Sequence, residues 1–372
     1  MSVTDFDADR PPEQPRRRRR GGTGRRRRDL TQLGMGDGTR EGVVIEDVEV
    51  ERSTQYDSYY GRAVVKAPPW RAPIAAYLFL GGIAAGSSML AFGALCTDRP
   101  LLRRNARLTA LGTVGLGTLA LIEDLGRPER FLNMMRTVKV TSPMSLGTWI
   151  VSGFGAASGV LGAIEVDRMT GRALPLGLLR RALGAAEMPA ALGQVALAPA
   201  LASYTGALLG NTIVPTWEAG RGHLSYLFVS SASLAAGGSA MLTTPVQETR
   251  PARLLAVAGV VGDVVSMHRM KQSMHPLEAE PLETGRAGAL LAWAERLAIG
   301  GGIGAVLGGR SRWLAAASGA ALVAASALTR FGVLEAGLES VKDPRRVVEP
   351  QKQRLAARRA AGITDDSITT AG

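Results

Sequence analysis

The chain has 372 residues, 46% hydrophobic and 20% charged, with a formal charge of +12, one cysteine and three histidines. A single thiol, Cys96, excludes an intramolecular disulfide, a cysteine-based zinc site and an iron–sulfur cluster held by this chain. The charge is unevenly placed: residues 1–72 are polar and arginine-rich, 73–332 are long apolar blocks joined by short charged links, and 339–372 are polar again.

The N-terminal stretch "RRRRRGGTGRRRR", residues 16–28, holds nine arginines in thirteen positions. Such a run repels itself, so residues 1–68 are expected to form a disordered tail. No aromatic platform accompanies it, and no nucleic-acid partner is expected. Contact with anionic lipid, or a topology signal, fits the run better. It lacks the apolar region and cleavage site of a twin-arginine signal.

A membrane span needs about 20 mainly apolar residues. Eight windows meet that pattern: 73–95, 106–123, 144–164, 188–209, 224–243, 252–268, 288–308 and 312–332. Backbone groups in lipid must be satisfied within the segment, so each window predicts a helix. The fold expected is an all-α integral membrane protein with eight transmembrane helices. A short interfacial helix is expected at "GLLRRAL", within 165–187. Small-residue runs such as "GGIAAGSS" and "GGGIGAVLGG" suit close helix approach in a membrane. The domains expected are the tail 1–68, helical units 69–210 and 211–335, and a polar basic tail 336–372. Eight spans place both termini on one side. The arginine tail, Arg62, Lys66, Arg71, Lys342, Arg345 and Arg346 argue that this side is cytoplasmic, while the short loops between spans are nearly balanced.

Haem held between histidines on facing helices is not expected, because only His268 lies at a span, while His223 and His275 fall in connections. Ionisable groups inside spans are costly and mark cavities, partners or proton relays. Asp263 lies mid-span in "GVVGDVVSM", Glu295 and Arg296 lie mid-span in the seventh window, and Glu123 and Asp124 close the second. Interhelical salt bridges are the alternative role for all of them. Tyr77 and Tyr204 place phenols near helix ends, where most tyrosines are simply interfacial anchors.

Four stretches, "WRAPIAAYLFLGGIAAGSSML", "DLGRPERFLNMM", "SPMSLGTWI" and "SYTGALL" with "VPTW", together resemble the NrfD family, the membrane subunit of polysulfide reductase-type complexes. The resemblance covers roughly residues 69–270. It implies two four-helix bundles, about 73–209 and 224–332, without haem or iron–sulfur cluster in this chain. It implies a quinone, menaquinone by preference, bound in the first bundle near the face where a four-cluster iron–sulfur protein docks. A molybdopterin-type or hydrogenase-type catalytic subunit would complete the complex, and this chain would not be catalytic alone. By resemblance Tyr77 and Tyr204 contact the quinone carbonyls, and Gly81, Gly82 and Gly86 allow close ring or helix approach. Asp124, Glu123 and Asp263, in that order, are the expected proton path. A transporter, or a purely structural anchor without its own quinone, would use the same helices differently.

Overall fold

A computed structural model describes residues 63–362 except 126–132, 137 and 140. The arginine run and the charged residues Arg127, Glu129 and Arg130 lie outside the described residues.

The described chain is helical: α1 (Ala72–Cys96), α2 (Pro100–Asp124), α3 (Pro143–Met169), α4 (Gly177–Gly210), α5 (Pro215–Ala219), α6 (Arg221–Thr243), α7 (Arg250–Ser273), α8 (Pro276–Ala279), α9 (Gly285–Leu307), α10 (Arg312–Ser340) and α11 (Arg345–Ala360). Pro73, Pro100, Pro143 and Pro251 start α1, α2, α3 and α7. Proline suits the first turn because its fixed φ is already helical and its missing N–H would have no intrahelical acceptor.

Six helices, α1, α2, α3, α4, α9 and α10, are long and apolar enough to cross a membrane. The windows at 224–243 and 252–268 fall in α6 and α7, which are long but less apolar. For α6, position explains why it need not be greasier. α6 packs against α1, α4, α7 and α10, so protein rather than lipid covers most of it. Gly237, Gly238 and Ser239 are buried there. A Cβ on Gly238 would sit 2.7 Å from the Gly319 carbonyl of α10, so the two backbones touch at this point.

α1 packs on α2, α4 and α6, α2 on α3, and α3 on α4; α9 packs on α10 and α7. The two ends of this assembly are built differently. At one end Trp70 stacks on Trp217 with ring centroids 5.5 Å apart. The Trp217 indole N–H donates to the Val333 carbonyl at 2.8 Å, and the Thr216 hydroxyl to the Glu278 carbonyl at 2.8 Å. We call this the tryptophan face. At the other end, where α1 finishes at Cys96, Arg107 bridges Glu165 at 2.8 Å and Glu187 at 2.7 Å. Arg107 is buried with Glu165, so removing either partner would cost about 3–5 kcal/mol.

Two segments read differently in three dimensions. "GLLRRAL" is the first two turns of α4, not a separate helix. Arg180 there is tied to Asp167 at 2.9 Å and to the Arg172 and Leu174 carbonyls. In the polar C-terminal stretch, residues 345–360 form α11. It is pinned to α8 and the turn that follows it by Arg354–Glu278 at 2.6 Å and Arg346–Glu280 at 3.2 Å.

Candidate functional site

Two cavities open in the helical assembly. The first, about 80 Å³, lies toward the tryptophan face among the start of α1, the end of α2, the start of α3 and the end of α4. Tyr77, Asp124 and Tyr204 all line it, from three different helices, with Trp70, Met134, Met144 and Gly147. The helix ends explain the convergence. Tyr77 lies in the second turn of α1, Asp124 is the last residue of α2, and Tyr204 is two turns from the end of α4.

Each of these side chains is held by its surroundings. Tyr77 is buried, 5% exposed, yet its hydroxyl has no hydrogen-bond partner among the described residues. The Tyr204 hydroxyl is likewise unpartnered there. Asp124 accepts a hydrogen bond from the Arg71 backbone N–H at the start of α1, which ties the end of α2 to the entry of α1. The Tyr204 ring packs directly against Gly147 of α3; a Cβ at that position would overlap the ring.

The neighbouring Glu123 points elsewhere. It is exposed and does not line the cavity. The three glycines also stand apart from it. A Cβ on Gly82 would meet Ala232 of α6 at 3.2 Å, and one on Gly86 would meet Ala236 at 2.5 Å. These two glycines seat α1 against α6. Gly81 has only an ordinary contact to Leu201, at 3.9 Å. Close helix approach, not ring approach, is what Gly82 and Gly86 provide.

The second cavity, about 280 Å³, lies among α7, α9 and α10. Asp263 and Glu295, the mid-span acids of the sequence, both line it, with Thr329, His268, Lys271 and Glu283. Asp263 and Tyr77 therefore belong to different cavities.

Residues 63–261, more than half of the chain, match the family model described as polysulphide reductase, NrfD. The chain belongs to the NrfD family. Members are membrane subunits that partner redox catalytic and iron–sulfur subunits, and this chain is a multi-pass membrane protein of that kind. No curated protein matches it. The first cavity falls entirely inside the matched NrfD segment, and all four stretches that carry the resemblance supply its lining: Trp70 and Tyr77, Asp124 and Met134, Met144 and Gly147, Tyr204 and Leu208. Every residue lining the second cavity lies beyond residue 261.

Three features escaped the sequence reading. Gly147 sits within a quoted stretch, and its role shows only once Tyr204 is seen against it. Trp70 and Trp217 belong to two different quoted stretches and prove to be one stacked pair. Arg330 lies inside the apolar window 312–332, where an arginine in a membrane helix was signal enough to single it out.

Proposed function

We propose that this NrfD-family chain is the membrane-anchoring, quinone- or quinol-reactive subunit of a respiratory oxidoreductase complex. All eight long helices cross the membrane in two groups of four, with both termini cytoplasmic. Electrons pass between the clusters of a partner iron–sulfur protein, docked on the tryptophan face, and menaquinone. A molybdopterin-type or hydrogenase-type subunit completes the complex. The observation that carries this reading is the convergence of Tyr77, Tyr204 and Asp124 on one cavity.

The residues present suit a quinone head group. Two phenols without described partners can each donate an O–H to a carbonyl oxygen, and the walls are otherwise mainly apolar, as cofactor pockets usually are. A cavity of about 150 Å³ accommodates a benzene ring, so the 80 Å³ here requires some wall to move. Met134 and Met144, unbranched and readily re-oriented, are the walls best able to do so. The bound quinone supplies two-electron, two-proton redox chemistry. Tyr77 and Tyr204 would orient its carbonyls by hydrogen bonding. Asp124 would hold or release a proton at its carboxylate, positioned by the Arg71 N–H. Gly147 would keep the Tyr204 ring aimed into the cavity.

The test is Tyr204→Phe in the complex purified with its partner chains. Loss of one hydrogen bond of about 1.4 kcal/mol slows turnover about tenfold. Quinol turnover should fall by that factor while the same chains co-purify; unchanged turnover would remove Tyr204 from the site. The small size of the cavity favours a second reading, a structural anchor. That reading requires partner chains to co-purify with no quinol activity at all.

A further inference from the structure

The second cavity stands on its own geometry and does not depend on the quinone reading. Its mouth lies at the tryptophan face, where Lys271 and Glu283 form an ion pair at 3.4 Å and His268 is exposed. Farthest from that face lie buried Asp263 and Thr329, with exposed Glu295 beside them. At about 1.5 Å of rise per residue, Asp263 lies about 12 Å along α7 from Lys271.

Asp263 is 5% exposed, and its Oδ1 has no partner among the described residues. Next to Thr329, on the same helix, is Arg330, 1% exposed. Its Nη2 donates to the Phe228 carbonyl at 2.6 Å, and the guanidinium lies over the Phe228 ring at 3.7 Å from its centroid. Its Nε and Nη1 are both unpartnered among the described residues. Asp263 and Arg330 feel each other electrostatically but form no ion pair within 4.0 Å among those residues. Buried polar atoms in native proteins find partners, and water is the usual one where side chains do not reach. A space of about 280 Å³ has room for several waters at about 30 Å³ each. The Thr329 hydroxyl donates to the Ala325 carbonyl, which leaves its oxygen free to accept from such a water. Arg330 stands behind the cavity wall, packed toward α1: a Cβ on Gly82 would lie 3.4 Å from its Nη2.

We propose that this cavity is a water-filled proton inlet, entered by water from the tryptophan face, that delivers protons to Asp263 in front of Arg330. Water carries the proton past His268, Lys271 and Glu283. The Asp263 carboxylate accepts it and becomes a carboxylic acid, and no electron moves in this step. Glu295 of α9, exposed beside Asp263, favours arrival of positive charge. Arg330 of α10, behind it, opposes further movement: a fixed guanidinium in a narrow path is an electrostatic barrier to protons and cations. The inlet therefore stores protons from one side without leaking them to the other.

Natural Cys96 is exposed at the opposite end of α1 and serves as a built-in reporter for the Cys96 face. In sealed vesicles of either orientation, a membrane-impermeant thiol reagent should label Ala292→Cys in a Cys96→Ser background from the tryptophan face only. Val264→Cys, a second lining position, repeats the test should the first variant not accumulate. Infrared difference spectra on acidification should show a carboxylic C=O band that Asp263→Asn removes. In liposomes Arg330→Gln should raise proton leak at least about tenfold over the unsubstituted chain, and Asp263→Asn should not. Labelling from the Cys96 face, absence of labelling in both variants, a carboxyl band that survives Asp263→Asn, or an Arg330→Gln variant as tight as the parent would each overturn the proposal. None of these readouts depends on quinol turnover, so they fail or succeed separately from the quinone reading.

Discussion

The two cavities of this NrfD-family chain open toward one face but are made of opposite materials. The first is small, mainly apolar and supplied by four stretches of sequence inside the family match. The second is more than three times larger, carries buried Asp263 and exposed Glu295 with an arginine behind them, and is lined entirely by residues beyond that match. Hydrogen-bonding phenols at helix ends suit a flat, lipid-soluble ligand. Mid-helix charges that cannot reach one another suit water and protons. The contrast teaches that redox partner and proton supply can be assigned to separate helix groups, joined where α1 meets α6 and Arg330.

Substitutions can break or sharpen that division. The largest effect is expected from Gly147→Leu, whose side chain would drive into the Tyr204 ring. Misplacing a reacting group by about 1 Å can cost 100-fold, so quinol turnover of the purified complex should fall by at least that factor. Thiol labelling of Ala292→Cys in the second cavity should be unchanged. Asp124→Asn should lower turnover about 100-fold, the lower range for loss of a general acid or base, with partner chains still co-purifying. If it instead prevents partner binding, Asp124 acts only as the tie between α2 and Arg71. Tyr77→Phe should slow turnover about tenfold, as one lost hydrogen bond does, and raise the quinol KM in steady-state assays. Glu123→Gln should change turnover by less than about twofold, because an exposed surface group away from the cavity is worth little. A large effect there would move the proton path out of the cavity and onto the surface.

Much of the first cavity was legible before the structure. Tyr77, Asp124 and Tyr204 could be placed near helix ends by counting apolar windows, and those ends meet because α1 to α4 pack as neighbours. Glu123 could not be separated from Asp124 by sequence, since adjacent residues on a helix point about 100° apart and only the packing says which one faces inward. Gly82 and Gly86 were read as room for a ring or a helix, and only the position of α6 decides for the helix. The second cavity was half legible. Asp263 and Glu295 stood out as charges among apolar residues, but on helices far apart in sequence, and Arg330 was lost in the average hydropathy of its window. α11 was hidden for another reason. It has no apolar face to announce it, and it is held by Arg346 and Arg354 reaching carboxylates 66 and 76 positions earlier.

The most direct measurement is photolabelling of the purified complex with a photoreactive menaquinone analogue, followed by peptide mapping. The account predicts adducts on the start of α1, the start of α3 and the end of α4, around Tyr77, Met144 and Tyr204, competed away by unmodified quinone. Competable adducts confined to α7, α9 or α10, or none on this chain while a partner subunit is labelled, would contradict it.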